Sequence, residues 1–221
     1  MLFEAGNPNH APPFSLQSGI ALQSIIAEAG WPIWPLIATS VFGLAIIIER
    51  FLSLRTARIT PGDLGTQVSQ ALRSNQVSAE FIEKLSSSSP LGQILADMLR
   101  NRLLGPDTIR QAAQDTGSTV AHELNRFLPA LATVATVAPL MGLFGTVVGM
   151  IEIFAAYRPD GSDPSMLARG ISVALYNTGF GILIAIPAMI AHRLFKTKIE
   201  NLMVSMEKTA RQIEHVIRAM N

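Results

Sequence analysis

Residues Pro129–Tyr157, PALATVATVAPLMGLFGTVVGMIEIFAAY, constrain this chain more than any other stretch. About 20 apolar residues, rising about 1.5 Å each, cross a bilayer, and no charge interrupts this run before Glu152. It is nevertheless a poor lipid-facing anchor. Ala135, Ala138, Gly142, Gly145 and Gly149 recur at three- and four-residue steps and form one smooth stripe, and Gly145–Gly149 is a G-x-x-x-G step. Small residues of this kind let helix backbones approach closely in a membrane. Thr133, Thr136 and Thr146 place hydroxyls where lipid offers no partner. Pro139 removes a backbone hydrogen bond in mid-span, which a neighbouring helix or water must make good. The stretch predicts a helix that packs against protein, either as a plain packing element or as the wall of a path.

The rest of the composition fits a membrane protein with a modest water-exposed part. Of 221 residues 49% are hydrophobic and 15% charged, against about 25% charged in an average soluble domain. With no cysteine there is no disulfide framework, and four scattered histidines make no metal-ligand spacing. The net charge of +1 is uninformative, but its distribution is not. Residues 1–49 hold no Lys or Arg, and all seventeen basic residues lie from Arg50 onward.

These features predict an all-α membrane protein with three transmembrane helices. Residues 1–30 form a Pro- and Asn-rich tail without the basic start of a secretory signal, with an interfacial helix over about 16–29. The first span, 31–49, begins with Trp31 and Trp34, which favour the headgroup level, and ends at Glu49 and Arg50. Basic residues gather on the cytoplasmic side, so the chain is expected N-out and C-in. Residues 50–127 form a cytoplasmic helical insert. Within it Ser86–Pro90 reads as a loop, and a helix starting at Pro106 and Asp107 is expected to run straight into the second span, 128–157. A polar turn, 158–165, leads to the third span, 166–194. There Ala174, Thr178, Gly181, Ala185 and Ala188 make a second small-residue stripe, expected to face the first. Residues 195–221 form a cytoplasmic amphipathic helix, either solvated or part of an oligomeric collar.

No phosphate-binding loop, nucleophile elbow, zinc motif or dinucleotide fingerprint occurs, so neither an enzyme, a cofactor, a metal site nor a nucleic-acid partner is expected. The glycines of GLFGTVVG lie inside a span, not in a loop opening a helix at water. What remains is a set of polar groups at membrane depth: Thr133, Thr136, Thr146 and Glu152, then Ser172, Tyr176, Asn177 and Thr178. A carboxylate there is a functional candidate by default, but Glu152 is also placed to be an interfacial carboxylate within reach of Arg158. Each threonine can line a path or simply bond back to its own helix.

The segments Ala138–Gly149 (APLMGLFGTVVG) and Gly170–Thr178 (GISVALYNT), with the three-span layout, resemble the MotA/TolQ/ExbB proton-channel family, and most of all its ExbB branch. The resemblance implies a homopentamer in the bacterial inner membrane. Its central pore would hold the transmembrane helices of a single-span ExbD-like partner whose aspartate takes the proton. Proton flow would then energise a TonB-like protein for outer-membrane import of iron carriers and vitamin B12. It implies that Thr146 and Thr178 are pore threonines, with Asn177, Tyr176 and Glu152 beside the proton pathway. Ala138, Pro139, Gly142, Gly145, Gly149, Ala174, Gly181 and Ala185 would serve helix packing. Where relatives often carry glutamate early in span three, this chain has Val173, which moves the burden onto the partner's aspartate and the hydroxyls. A TolQ-like role in outer-membrane integrity and a non-conducting oligomeric scaffold are the alternatives. The absence of an internal repeat argues against a solute transporter.

Overall fold

The computed structural model describes residues 28–157 and 164–220. Among them the chain is helical, with no strand. The expected interfacial helix and the polar turn lie almost wholly outside the described residues. The helices are α1 Ile33–Ser53, α2 Thr56–Ile59, α3 Leu64–Arg73, α4 Ala79–Ser88, α5 Pro90–Arg100, α6 Pro106–Asn125, α7 Leu128–Ala156 and α8 Pro164–Met220. Three stretches are long and apolar enough to cross a membrane: α1, the apolar part of Pro106–Ala155, and α8.

Local chemistry accounts for the boundaries. Ser78 accepts a hydrogen bond from the Phe81 amide at 3.1 Å to start α4, and Ser89 does the same for Gly92 at 3.1 Å to start α5. The serine run does not form the expected loop. Ser87 and Ser88 bond back to carbonyls of Glu83, Lys84 and Leu85, so they complete the last turn of α4. Only Ser89 is extended, at φ −167° and ψ 163°, because the residue before a proline is pushed out of the helical region. Pro90 and Pro106 then occupy first-turn positions, where a missing N–H is harmless. The helix expected to run unbroken into the second span is interrupted at Arg126 and Phe127. Pro129 explains this: it has no N–H for the Asn125 carbonyl, and its ring crowds that oxygen. The third span and the tail, by contrast, form one 57-residue helix, α8.

The chain divides into two compact units, the first drawn from Met1–Phe42 and Val134–Pro187, the second from Gly43–Thr133 and Ala188–Asn221. In the first unit the buried side chains are few, with Ala135, Ala138 and Ala185 beside Ile33 and Leu36, while Leu143, Phe154, Leu175 and Leu183 are more than half exposed. In the second unit the core is built of large side chains such as Leu95, Met98, Leu99, Ile109, Met206 and Ile213. There α4 and α5 meet so closely that a Cβ on Gly92 would overlap the Leu85 carbonyl oxygen.

Candidate functional site

The site is the apposition of α7 and α8 within the first unit. The two small-residue stripes lie face to face in antiparallel order. A Cβ on Gly181 would come within 2.7 Å of the Ala138 carbonyl oxygen, and one on Gly142 within 2.8 Å of the Asn177 carbonyl oxygen. One on Gly145 would overlap the Asn177 side chain, and one on Gly149 would come within 2.5 Å of the Gly170 carbonyl oxygen and 2.9 Å of the Ala174 nitrogen. The backbones are therefore in direct contact along about three helical turns of α7, from Ala138 to Gly149. Side chains of ordinary size are excluded, which is how helices associate where water supplies no hydrophobic drive. Gly170 belongs to this contact as well, since a Cβ there would strike Ile153. Extending the third-span stripe one turn back from Ala174 identifies it from sequence. Pro139 lies within α7 beside Ala138, and Ala185 is buried one turn beyond Gly181.

Asn177 is the polar centre of the interface. It is fully buried. Its Nδ2 donates to the Val173 carbonyl at 2.8 Å on its own helix and to the Ala29 carbonyl at 2.7 Å, 148 residues away. The amide thus ties the segment before α1 to α8. Its Oδ1 accepts no hydrogen bond among the described residues, and such an orphan is rare in folded proteins. Val173 is also buried, its methyls 3.5 and 3.8 Å from where a Cβ on Gly30 would sit. Val173 therefore points into this subunit, toward the entry to α1.

The two threonines behave differently. Thr178 donates across the interface to the Gly142 carbonyl, at a long 3.4 Å. Thr146 donates to its own helix, to Leu143 at 2.6 Å, and Thr133 does the same to Pro129 at 2.9 Å. Tyr176, Ala174 and Glu152 are half-buried. Arg158, the expected partner of Glu152, lies outside the described residues.

Between Leu128 and Ile151, and between Ile171 and Ala191, there is no carboxylate. Within those limits the paired helices can donate and accept hydrogen bonds through hydroxyl, amide and carbonyl groups, but hold no acid or base that takes a proton near neutral pH. Among the described residues no three His, Asp or Glu side chains gather as a metal site.

One buried charge escaped the sequence reading, which used Arg50 only as a marker of sidedness. Arg50 is 4% exposed. It pairs with Glu49 at 2.6 Å, donates to the Leu124 carbonyl at 2.8 Å and lies 4.7 Å from the Phe127 ring centroid. It thereby satisfies a carbonyl left unbonded where α6 ends ahead of Pro129.

Residues 86–208 match the MotA/TolQ/ExbB proton channel family, a segment containing α5, α6, α7 and most of α8. Over 206 residues the chain is 29% identical to the biopolymer transport protein exbB1 of Vibrio cholerae, covering 90% of each chain. It is 27% identical to an ExbB-like biopolymer transport protein of Synechocystis over 187 residues, 83% of this chain and 89% of the other. It is also similar to the Tol-Pal system protein TolQ of Haemophilus influenzae, 39% identical over 79 residues, 35% of each chain. A multi-pass membrane chain with α7 and α8 packed backbone to backbone inside the matched segment thus belongs to the MotA/TolQ/ExbB proton channel family.

Proposed function

We propose that this chain is the ring-forming subunit of an inner-membrane, proton-driven stator. A single-span ExbD-like partner in the pore would supply the titrating carboxylate, and a TonB-like protein would receive the mechanical work. One observation carries the reading: α7 from Ala138 to Gly149 and α8 from Ala174 to Gly181, apposed inside the family match, hold Thr146, Asn177 and Thr178 but no carboxylate, and Glu152 lies beyond them toward the end of α7. An isolated charge in an apolar pore costs several kcal/mol or more, so a proton needs a group that takes it up, and here that group must come from a partner helix. The hydroxyls would bond that group and position water when it faces them. The distribution of basic residues supports an N-out, C-in orientation, and membership of the family supports assembly into a closed homopentamer.

The test is proton flux in vesicles holding the chain with its co-purified single-span partner. Flux is expected from the complex and not from the chain alone; no flux from either would leave a scaffold. Thr178→Val and Thr146→Val keep shape and remove the hydroxyl. Together they are expected to leave assembly intact and reduce TonB-dependent iron uptake strongly, whereas Glu152→Gln should matter less. Cysteine probes at Ser87 and Ser205 are expected to be shielded from an impermeant reagent in whole cells, and probes at Ser15 and Ser162 to react. The likeness to TolQ favours a second reading, service to the outer membrane itself. Loss of the chain would then cause envelope leakage with normal iron uptake.

A further inference from the structure

The second unit carries a groove of about 610 Å³ between α6 and the last third of α8. Its floor is apolar, with Met98 and Met206 buried beneath it, and its α6 wall is a run of Ala113, Gly117 and Ala121. Gly117 is the informative residue. It lies in the interior of a 20-residue helix, where glycine is about 1 kcal/mol worse than alanine. Yet a Cβ on it would meet nothing within 4 Å. Contacts inside the chain do not account for it, whereas a backbone approaching from outside does.

The nature of the approaching surface follows from charge and position. Eight charged residues lie between Lys196 and Arg218, too many for a segment in hydrocarbon, so a bilayer acyl chain is not the occupant. The rim is basic: Arg110 and Arg218 share the carboxylate of Glu214, at 3.0 and 2.9 Å, and Arg211 pairs with Glu207 at 2.5 Å. Arg110 also pairs with Asp107 at 3.7 Å, and among the residues that line the groove three arginines stand beside two carboxylates. The complement lies on α6 itself. Asp115, two residues from Gly117 and so about 160° around the helix, is exposed and forms no ion pair among the described residues. With exposed Gln111 and Thr119, one turn to either side, it makes a slim acidic edge.

We infer that the groove between α6 and α8 receives the acidic outer edge of α6 from a second copy of this chain. A groove and its complement on different faces of one molecule make a head-to-tail contact, which builds a ring when the rotation between neighbours closes. The inference rests on the reading of the chain as a ring subunit and names the contact that builds the ring's water-exposed part.

The chain has no cysteine, so linkage can be tested in the full-length protein. Chains carrying Gly117→Cys, co-expressed with chains carrying Asp115→Cys, are expected to form a disulfide-linked dimer under mild oxidation, and Gly117→Cys chains alone severalfold less. Asp115→Arg or Arg211→Glu is expected to lower the assembled fraction about tenfold, equivalent to about 1.4 kcal/mol, and the double variant to recover it. A wild-type ring whose paired cysteines do not link overturns the contact and leaves the ring reading standing; a monomeric wild-type chain overturns both. A small-molecule mass held by the wild-type chain and lost on Gly117→Trp overturns it in favour of a bound ligand.

Discussion

The two units of this molecule bury opposite kinds of residue. In the first, the α7–α8 contact is made by glycine and alanine while Leu143, Phe154, Leu175 and Leu183 face outward; in the second, large aliphatic side chains are inside and most charges outside. The same chemistry produces both patterns in different solvents. In water, burying a large apolar side chain contributes about 1.5–3 kcal/mol, so large residues go to the core. In hydrocarbon a leucine gains nothing by leaving lipid, and association depends on close backbone contact and hydrogen bonds, so small residues go to the interface. A glycine in α7 and a leucine in α5 thus play equivalent roles.

That equivalence can be broken by substitution. Gly145→Leu should have the largest effect, because even a Cβ at this position overlaps Asn177. The expected result is loss of the assembled chain in native mass measurement, and an unchanged oligomer would refute the packing argument. Leu95→Ala, at a fully buried site of the second unit, should cost about 2–5 kcal/mol. Leu183→Ala, 65% exposed in the first unit, should change stability in detergent by less than about 0.5 kcal/mol. Equal losses from the two would erase the distinction between the units. Arg50→Met should destabilise by about 1–3 kcal/mol in thermal unfolding, since the Leu124 carbonyl loses its donor. Ser78→Ala, which removes a cap on exposed α4, should cost about 0.5–1 kcal/mol and leave proton flux untouched.

Much of this site was legible in the sequence because helical periodicity is a local property. Residues three and four apart share a face, so the stripes through Gly142, Gly145 and Gly149 and through Ala174, Gly181 and Ala185 can be read directly. Their antiparallel apposition follows once the connection between the spans is short. The partner of Asn177 was not legible. Its amide reaches Ala29 across 148 residues, and no periodicity encodes which carbonyl lies opposite. The direction of Val173 was equally hidden, because α8 has small residues on more than one side.

Sequence alone determined the number of apolar helices long enough to cross a membrane and the absence of a mid-span carboxylate. These depend on transfer free energies and on rise per residue, which belong to single residues and single helices. Only the tertiary structure decided that Thr178 bonds across the interface while Thr146 bonds to its own helix. It alone revealed that Arg50 is buried against Leu124 and Phe127, and that a groove opens beside Gly117. Those outcomes depend on which surfaces meet, and that is settled by packing between residues far apart in the chain.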